Sequence, residues 1–306
     1  MKLDIQLSKG VRDHFVTGSN YTSFQSLERF INYFFPENIE MNVTDNADIV
    51  VQAVFWSVED TIHSDCKKKI ILCVENCSGH PSWFYPHYTK FREYGDPDAR
   101  IYFYNHIDRC VLTDRYIAIP IIYTQLDYYK RYSKSIGPTV MTAFADKKFC
   151  LLVPNNDRRA PTKCHIRSAL GSLGTCDDIN DHKHLIKNTS CYHSAELLNL
   201  LQQYKFVFVC ENSTNNGYIT EKIFNCYFSN IIPIYNGSQD IEYYFNKETF
   251  INLNNPNDDC AYERIRQLRD NEELYNAAIQ QNKINNYDDE NYKTKLESFI
   301  EGIIQE

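Results

Sequence analysis

The sequence predicts an α/β protein built from two halves, each with a parallel sheet. Short runs rich in Val, Ile and Phe alternate with stretches of helix length along most of the 306 residues, a pattern typical of parallel strands joined by crossover helices. Two of these runs end in Glu-Asn, at residues 75–76 and 211–212. A chain of this length also exceeds the size at which one hydrophobic core usually divides into two.

The first half is predicted to hold one helix and several strands. Apolar side chains recur at helical spacing in residues 23–35, and Pro36 ends that pattern. The predicted strands cover residues 3–6, 47–55, 69–74, 100–104 and 116–123. Pro120 requires the last of them to lie at an edge or a strand end. The sequence therefore predicts an N-terminal α/β domain over residues 1–135.

A second series of elements follows a predicted linker at residues 125–134. Strands are predicted at residues 148–153, 206–210, 231–235 and 249–253. Helices are predicted at residues 161–170, 194–203, 260–269, 272–282 and 291–304. We therefore predict a C-terminal α/β domain over residues 136–290, followed by a terminal helix within residues 291–306.

Residues 205–238 have the pattern strand, polar loop, helix, strand, which makes the two strands parallel. Ligands on such sheets bind beyond the carboxyl ends of the strands. Glu211 and Asn212 stand at that end, and Thr220 is placed to cap the following helix. Lys222 falls in its first turn, where free N–H groups favour anions, so a diphosphate is a suitable ligand. An ordinary capped surface helix has the same composition, and the spacing alone does not separate the two.

Composition excludes several classes of protein. A net charge of −8 argues against a broad nucleic-acid surface. The 11 cysteines form no CxxC pair, which disfavours a zinc site. No apolar run is long enough to span a membrane, and the N-terminus has charges where a signal peptide needs an apolar core. These features predict a cytoplasmic location; the oligomeric state is left open.

The stretch ENSTNNGYITEK, with IIPIYNGS and TFINLNN after it, closely resembles the signature of the α-1,3-fucosyltransferases, glycosyltransferase family 10. The resemblance implies the GT-B fold, in which two Rossmann-like domains face each other across a cleft. The terminal helix is then expected to pack back on the N-terminal domain. The implied reaction moves L-fucose from GDP-β-L-fucose to a hydroxyl of an acceptor glycan with inversion, without a strict metal requirement or other cofactor.

The resemblance also assigns roles to individual residues. It places Glu221 on the ribose, Lys222 on the diphosphate, Tyr218 on the nucleotide and Asn212 near the transferred sugar or the diphosphate. In the first half, KKIILCVEN followed by DRYIAIPIIY is similar to the family's acceptor-side segment. That match makes Glu75 the general base, since a sugar hydroxyl is a poor nucleophile until its proton is removed.

One position departs from the family pattern. Where the family has an arginine that contacts the donor diphosphate, this sequence places Lys163. Lysine keeps the charge but lacks the bidentate fork of arginine. Arg158, Arg159 or Arg167 are alternatives for the same role.

Three other interpretations stay open. The departure at Lys163 permits a catalytically inactive protein that binds sugar nucleotides or glycans on the same fold. The same fold also accommodates a different nucleotide-sugar donor. A metal-dependent transferase would need an acidic pair such as Asp96 and Asp98, which we interpret as a solvated turn. The aromatic residues within 78–94 are predicted to contact the acceptor.

Overall fold

The computed structural model describes residues 2–7, 39–53, 66–73, 100–105, 116–118, 120–153, 161–182, 194–212, 214–285 and 290–305. The chain forms two compact units, one of residues 1–128 with 288–306 and the other of residues 129–287. Several predicted features lie outside the described residues: the helix at 23–35, Glu75, the aromatic segment 78–94, Asp96, Asp98, Arg158 and Arg159.

The first unit contains a parallel sheet. Its described strands are β1 (Lys2–Leu7), β2 (Glu40–Val43), β3 (Ile49–Ala53), β4 (Lys68–Cys73), β5 (Arg100–Asn105) and β6 (Tyr116–Ala118). They follow the order β2-β1-β3-β4-β5-β6, with every neighbouring pair parallel. The sequence did not predict β2, because its four residues, EMNV, are too short and too polar to give an apolar run.

Among the described residues, two helices accompany these strands, and one of them corrects the sequence prediction. Helix α1 covers Ile121–Tyr132, so residues 121–123 of the strand predicted at 116–123 are helical, and the predicted linker at 125–134 is wrong. Pro120 directly precedes the helix, a position proline tolerates because no helical N–H is lost there. The terminal helix, which we call α8, covers Glu290–Gln305. Tyr292 on it stacks on Tyr123 with ring centroids 4.9 Å apart.

The second unit is a parallel sheet with helices on both faces. Its strands are β7 (Lys148–Val153), β8 (Cys176–Asp178), β9 (Tyr204–Cys210), β10 (Ile232–Asn236) and β11 (Ile251–Asn252), in the order β11-β10-β9-β7-β8. Its helices are α2 (Pro161–Leu173), α3 (Ala195–Leu201), α4 (Glu221–Phe228), the single turn α5 (Ile241–Tyr244), α6 (Asp259–Asp270) and α7 (Glu272–Gln280).

Both faces of this second sheet are buried. Alternate strand residues such as Phe206 and Phe208 join one core with Ile166 of α2 and Ile265 of α6. The opposite face packs against α3 and α4, where Ile223 is fully buried. Burial on both faces explains why the predicted strands read as continuous apolar runs instead of alternating ones.

Two strands of this unit differ from the sequence prediction. β11 is confined to Ile251–Asn252, because Lys247–Thr249 forms a 3-10 turn before it. β8 was not predicted at all, since its three residues, CDD, carry two acids and no apolar run. No helix among the described residues has the length and apolarity that crossing a bilayer requires.

Candidate functional site

The location of the site follows from the order of the strands in the sheet of the second unit. From β7 the chain passes to β8 on one side, and then crosses to β9 on the other side of β7. The strand order therefore reverses between β7 and β9. Right-handed crossovers on either side of such a point place their helices on opposite faces of the sheet. The crevice at the carboxyl ends of these strands is where open α/β sheets bind ligands.

Glu211 follows β9 directly and lies at the centre of this edge. Its side chain is 0% exposed. Oε1 accepts the backbone N–H of Thr220 at 2.8 Å, while Oε2 accepts the Thr220 hydroxyl at 2.7 Å and the Lys222 ammonium at 3.1 Å. Burial raises the pKa of the Glu211 carboxyl, and Lys222 and Thr220 oppose that rise. Several charge-assisted hydrogen bonds offset the cost of burying this carboxylate.

Thr220 occupies the N-cap position of α4, as predicted, but its hydroxyl makes no capping hydrogen bond to the helix. The hydroxyl donates to Glu211 and accepts from the Lys222 ammonium at 2.8 Å. The first-turn N–H groups of α4 are therefore not capped by this side chain. The threonine instead joins the carboxylate to the lysine.

Glu221 and Lys222 begin α4 and lie next to each other. Their side chains are 19% and 17% exposed, and the Lys222 ammonium lies 3.4 Å from Glu221 Oε1. Lys222 thus has oxygens of three side chains within 3.4 Å, two of them at shorter distances. The two residues predicted to bind the ribose and the diphosphate are brought together at one helix start.

Lys163 reaches the same edge from the opposite face of the sheet. It is the third residue of α2, and its ammonium donates to the backbone carbonyl of Glu211 at 3.4 Å. Arg167, an alternative for the diphosphate, instead pairs with Asp178 at 2.9 Å. The first turns of two helices therefore each send a lysine to Glu211.

The loop between β9 and α4 is held by hydrogen bonds from the next strand end. Gly217 has a positive φ of 73°, a conformation that favours glycine, and its N–H donates to Asp240 at 3.0 Å. The Ser238 hydroxyl contacts both Asp240 and the carbonyl of Asn215. Tyr218 is only 3% exposed, whereas Asn212 is exposed at the loop surface.

Sequence reasoning left three residues of this edge without a role: Glu211, Ser238 and Asp240. Glu211 was recognised at the strand end, but nothing in a sequence reports that a carboxylate is fully buried and hydrogen-bonded. Ser238 and Asp240 follow the Asn-Gly turn of β10, where polar residues are ordinary turn composition. Their contacts appear only once β9 and β10 are paired.

The second unit has a reversal of strand order in a parallel sheet, and two lysines on helix N-terminal turns lie beside it. This arrangement is typical of α/β proteins that bind phosphate-bearing ligands. The comparisons narrow that class. Residues 168–296 match the family model described as Glycosyltransferase family 10 (fucosyltransferase) C-term. The matched residues include the whole signature stretch, so the resemblance to this family is confirmed.

Relatives found by sequence similarity agree with this match. The chain is 28% identical over 211 residues to the α-(1,3)-fucosyltransferase FucT of Helicobacter pylori, covering 60% of this chain and 44% of the relative. It is 31% identical over 116 residues to GDP-fucose protein O-fucosyltransferase 3 of Xenopus laevis, covering 37% and 24%. The chain thus spans less than half the length of these curated relatives.

A solved α1,3-fucosyltransferase with GDP-fucose has a similar fold. The structural match covers 100% of this chain and 91% of the solved chain, with a TM-score of 0.56 and 19% sequence identity. The two parallel α/β units belong to the GT-B class, as predicted.

Proposed function

We propose that this protein transfers L-fucose from GDP-β-L-fucose to a hydroxyl of an acceptor glycan, with inversion at the sugar carbon. The observation that carries the proposal is the convergence of Lys163 and Lys222 at the strand-order reversal of a fucosyltransferase-family domain. The solved relatives in complex with GDP and GDP-fucose support GDP as the nucleotide.

The proposed reaction is a single displacement. The acceptor oxygen forms a bond to the anomeric carbon of fucose as the bond from that carbon to the diphosphate oxygen breaks. Glu75 takes the acceptor proton, and GDP leaves with the bonding electron pair. Fixed positive groups stabilise the charge that develops on the leaving diphosphate. Lys163 and Lys222, on two helix N-terminal turns, are the groups that supply it, and no metal ion is needed for the step.

The remaining edge residues complete donor binding in this proposal. Glu221 accepts hydrogen bonds from the ribose hydroxyls, Tyr218 contacts the nucleotide, and Asn212 contacts the transferred sugar or the diphosphate. The acceptor is proposed to be a glycan. Some of the relatives are named protein O-fucosyltransferases. An acceptor screen should therefore include glycoproteins and folded protein domains.

The first test is thermal stabilisation of the purified protein by GDP, UDP, ADP and CMP, each with a divalent cation and with a chelator. A ligand that binds only the folded state stabilises it by about 2.7 kcal/mol at a hundred times its Kd. Stabilisation by GDP alone, equal in chelator, supports the proposal. Stabilisation by UDP that needs the metal contradicts it.

The second test separates an enzyme from an inactive binder. GDP release from GDP-fucose is measured across a panel of acceptors, with Glu75→Gln as the matched variant. We expect this variant to bind GDP normally and to lose turnover by about 100-fold or more, because a general base is removed. GDP binding by the wild type without release on any acceptor favours the inactive binder, and unchanged turnover in Glu75→Gln excludes Glu75 as the base.

A further inference from the structure

The ammonium group of Lys222 is held from the protein interior. It donates to the Thr220 hydroxyl at 2.8 Å and to Glu211 Oε2 at 3.1 Å. Glu211 cannot follow the lysine outward, because its side chain is fully buried and its other oxygen accepts the backbone N–H of Thr220. The position of Lys222 is therefore fixed in part by a side chain that has no exposed surface.

We propose that Glu211 is a positioning residue for the donor diphosphate. Its buried carboxylate holds Lys222, and its backbone carbonyl holds Lys163, so that one residue spaces the two ammonium groups across the sheet edge. The proposal rests on the function proposed above and adds to it a residue whose side chain never meets the donor.

Preorganisation is the physical reason for such a residue. A lysine ammonium is a point charge on a flexible four-carbon stem. Holding that stem in its binding rotamer before the ligand arrives removes an entropic cost from association. The buried carboxylate also offsets charge between two cations that approach the same residue, which lets both remain beside the edge when no ligand is bound.

The third contact of Lys222 marks where the ligand enters. Glu221 Oε1 lies at 3.4 Å, farther away than Thr220 or Glu211, and its side chain is partly exposed. An incoming phosphate oxygen replaces this contact, and Glu221 is then released to accept a hydrogen bond from the ribose. Thr220 and Glu211 stay in place throughout.

Glutamine cannot take over the role of Glu211. Both oxygens of the carboxylate face donors: a backbone N–H on one side, and a hydroxyl and an ammonium on the other. Either orientation of a glutamine amide places its NH₂ group against one of these donors, since it offers only one acceptor oxygen. Glu211→Gln therefore keeps the shape of the side chain and loses the hold on Lys222.

The experiment measures GDP affinity of Glu211→Gln by calorimetry. We expect it to weaken about 10-fold or more, as for a lost hydrogen bond to a charged group. Adding Glu211→Gln to Lys222→Ala should weaken binding no further, because Glu211 acts through the lysine. The matched control is Thr249→Val. It removes the buried hydrogen bond between Thr249 and Tyr227 of α4, and should lower the melting temperature but leave GDP affinity unchanged.

A second readout needs no ligand. The rate at which an amine-reactive ester labels Lys222, followed by peptide mass spectrometry, should rise in Glu211→Gln and stay at the wild-type level in Thr249→Val. An unchanged labelling rate overturns the hold of Glu211 on Lys222. If the wild type binds GDP and Glu211→Gln binds it with the same affinity, the positioning role alone is overturned. The same holds if Thr249→Val weakens GDP affinity as much as Glu211→Gln does. A wild-type protein that does not bind GDP overturns the proposed function as well.

Discussion

The two ends of strand β9 have the same kinds of residue and different environments. At the carboxyl end, Glu211 meets Lys222 and the Thr220 hydroxyl. At the amino end, Asp177 accepts from Lys148 at 2.8 Å and from the Tyr204 hydroxyl at 2.6 Å. Each end therefore includes a carboxylate that accepts hydrogen bonds from a lysine and from a hydroxyl.

The two ends of β9 differ in the burial of the carboxylate and in the elements to which the side chains belong. Asp177 is 27% exposed, and hydrogen bonds from Lys148 and Tyr204 lower its pKa. Glu211 is fully buried, and that burial raises its pKa. The amino-end groups come from strands and face one another, whereas Lys222 comes from the first turn of a helix. The comparison teaches that the same residue types can occupy different settings. The carboxyl end combines them with a helix start and a strand-order reversal, the setting in which α/β sheets bind anions.

The largest expected effect comes from exchanging the lysines of the two ends for alanine. Lys222→Ala should weaken GDP binding about 10- to 100-fold, because a charge-assisted contact with the diphosphate is lost. Lys148→Ala, the matched variant at the other end, should leave GDP affinity unchanged. Calorimetric titration with GDP measures both. Equal losses in the two variants would show that the ends do not differ in function.

A smaller effect is expected at the amino end from Tyr204→Phe. The variant removes a hydroxyl that donates to Asp177 and lies 3.0 Å from His182 Nε2. We expect the free energy of unfolding to fall by about 1 kcal/mol, with GDP affinity unaltered. Urea unfolding followed by circular dichroism measures the first quantity. A loss of GDP affinity without a loss of stability would contradict a purely structural role.

The smallest effect is the pH dependence of stability, which should have opposite signs at the two ends. The folded pKa of Asp177 is depressed below its ordinary 3.8, so its stabilising contribution is present above that value and is lost as the pH falls through the folded pKa. The folded pKa of Glu211 is raised above 4.5. Its contribution is therefore present below that value and is lost as the pH rises through the folded pKa.

Urea unfolding between about pH 3 and about pH 7 tests this difference in sign. Asp177→Asn should flatten the loss of stability at the acidic end of the curve. Glu211→Gln should remove the loss that accompanies rising pH above the ordinary value of glutamate. If both variants change the pH dependence of the unfolding free energy in the same direction, the opposite pKa shifts of Asp177 and Glu211 are contradicted.

Much of the second unit was predictable from sequence because its strands are buried on both faces. β7 and β9 appear as unbroken apolar runs, and Asn230, predicted to end α4, has a left-handed φ of 52°. The elements that were missed lack that signal. β8 has two acidic residues out of three, and α1 begins in an apolar run that resembles a strand until Pro120 is interpreted as a helix start.

The position of Glu221 and Lys222 at a helix start was predictable, but the contacts of Lys222 and Lys163 were not. The signature stretch placed Glu221 and Lys222 at a helix start, which is a property of local sequence. Their connection to Lys163 depends on residues 163 and 211 meeting across the sheet, which requires the pairing of β7 with β9. A sequence read in order does not report which turns share an edge.

Gly237 has a consequence for how this edge can vary. A Cβ at that position would lie 2.5 Å from the Tyr235 hydroxyl and 2.6 Å from Glu211 Cγ, both buried and unable to withdraw. The glycine is therefore required for space, since atoms cannot approach this closely. In evolutionary terms, we therefore expect positions 211, 235 and 237 to covary. A descendant that gains a side chain at 237 has to change the tyrosine and the glutamate with it.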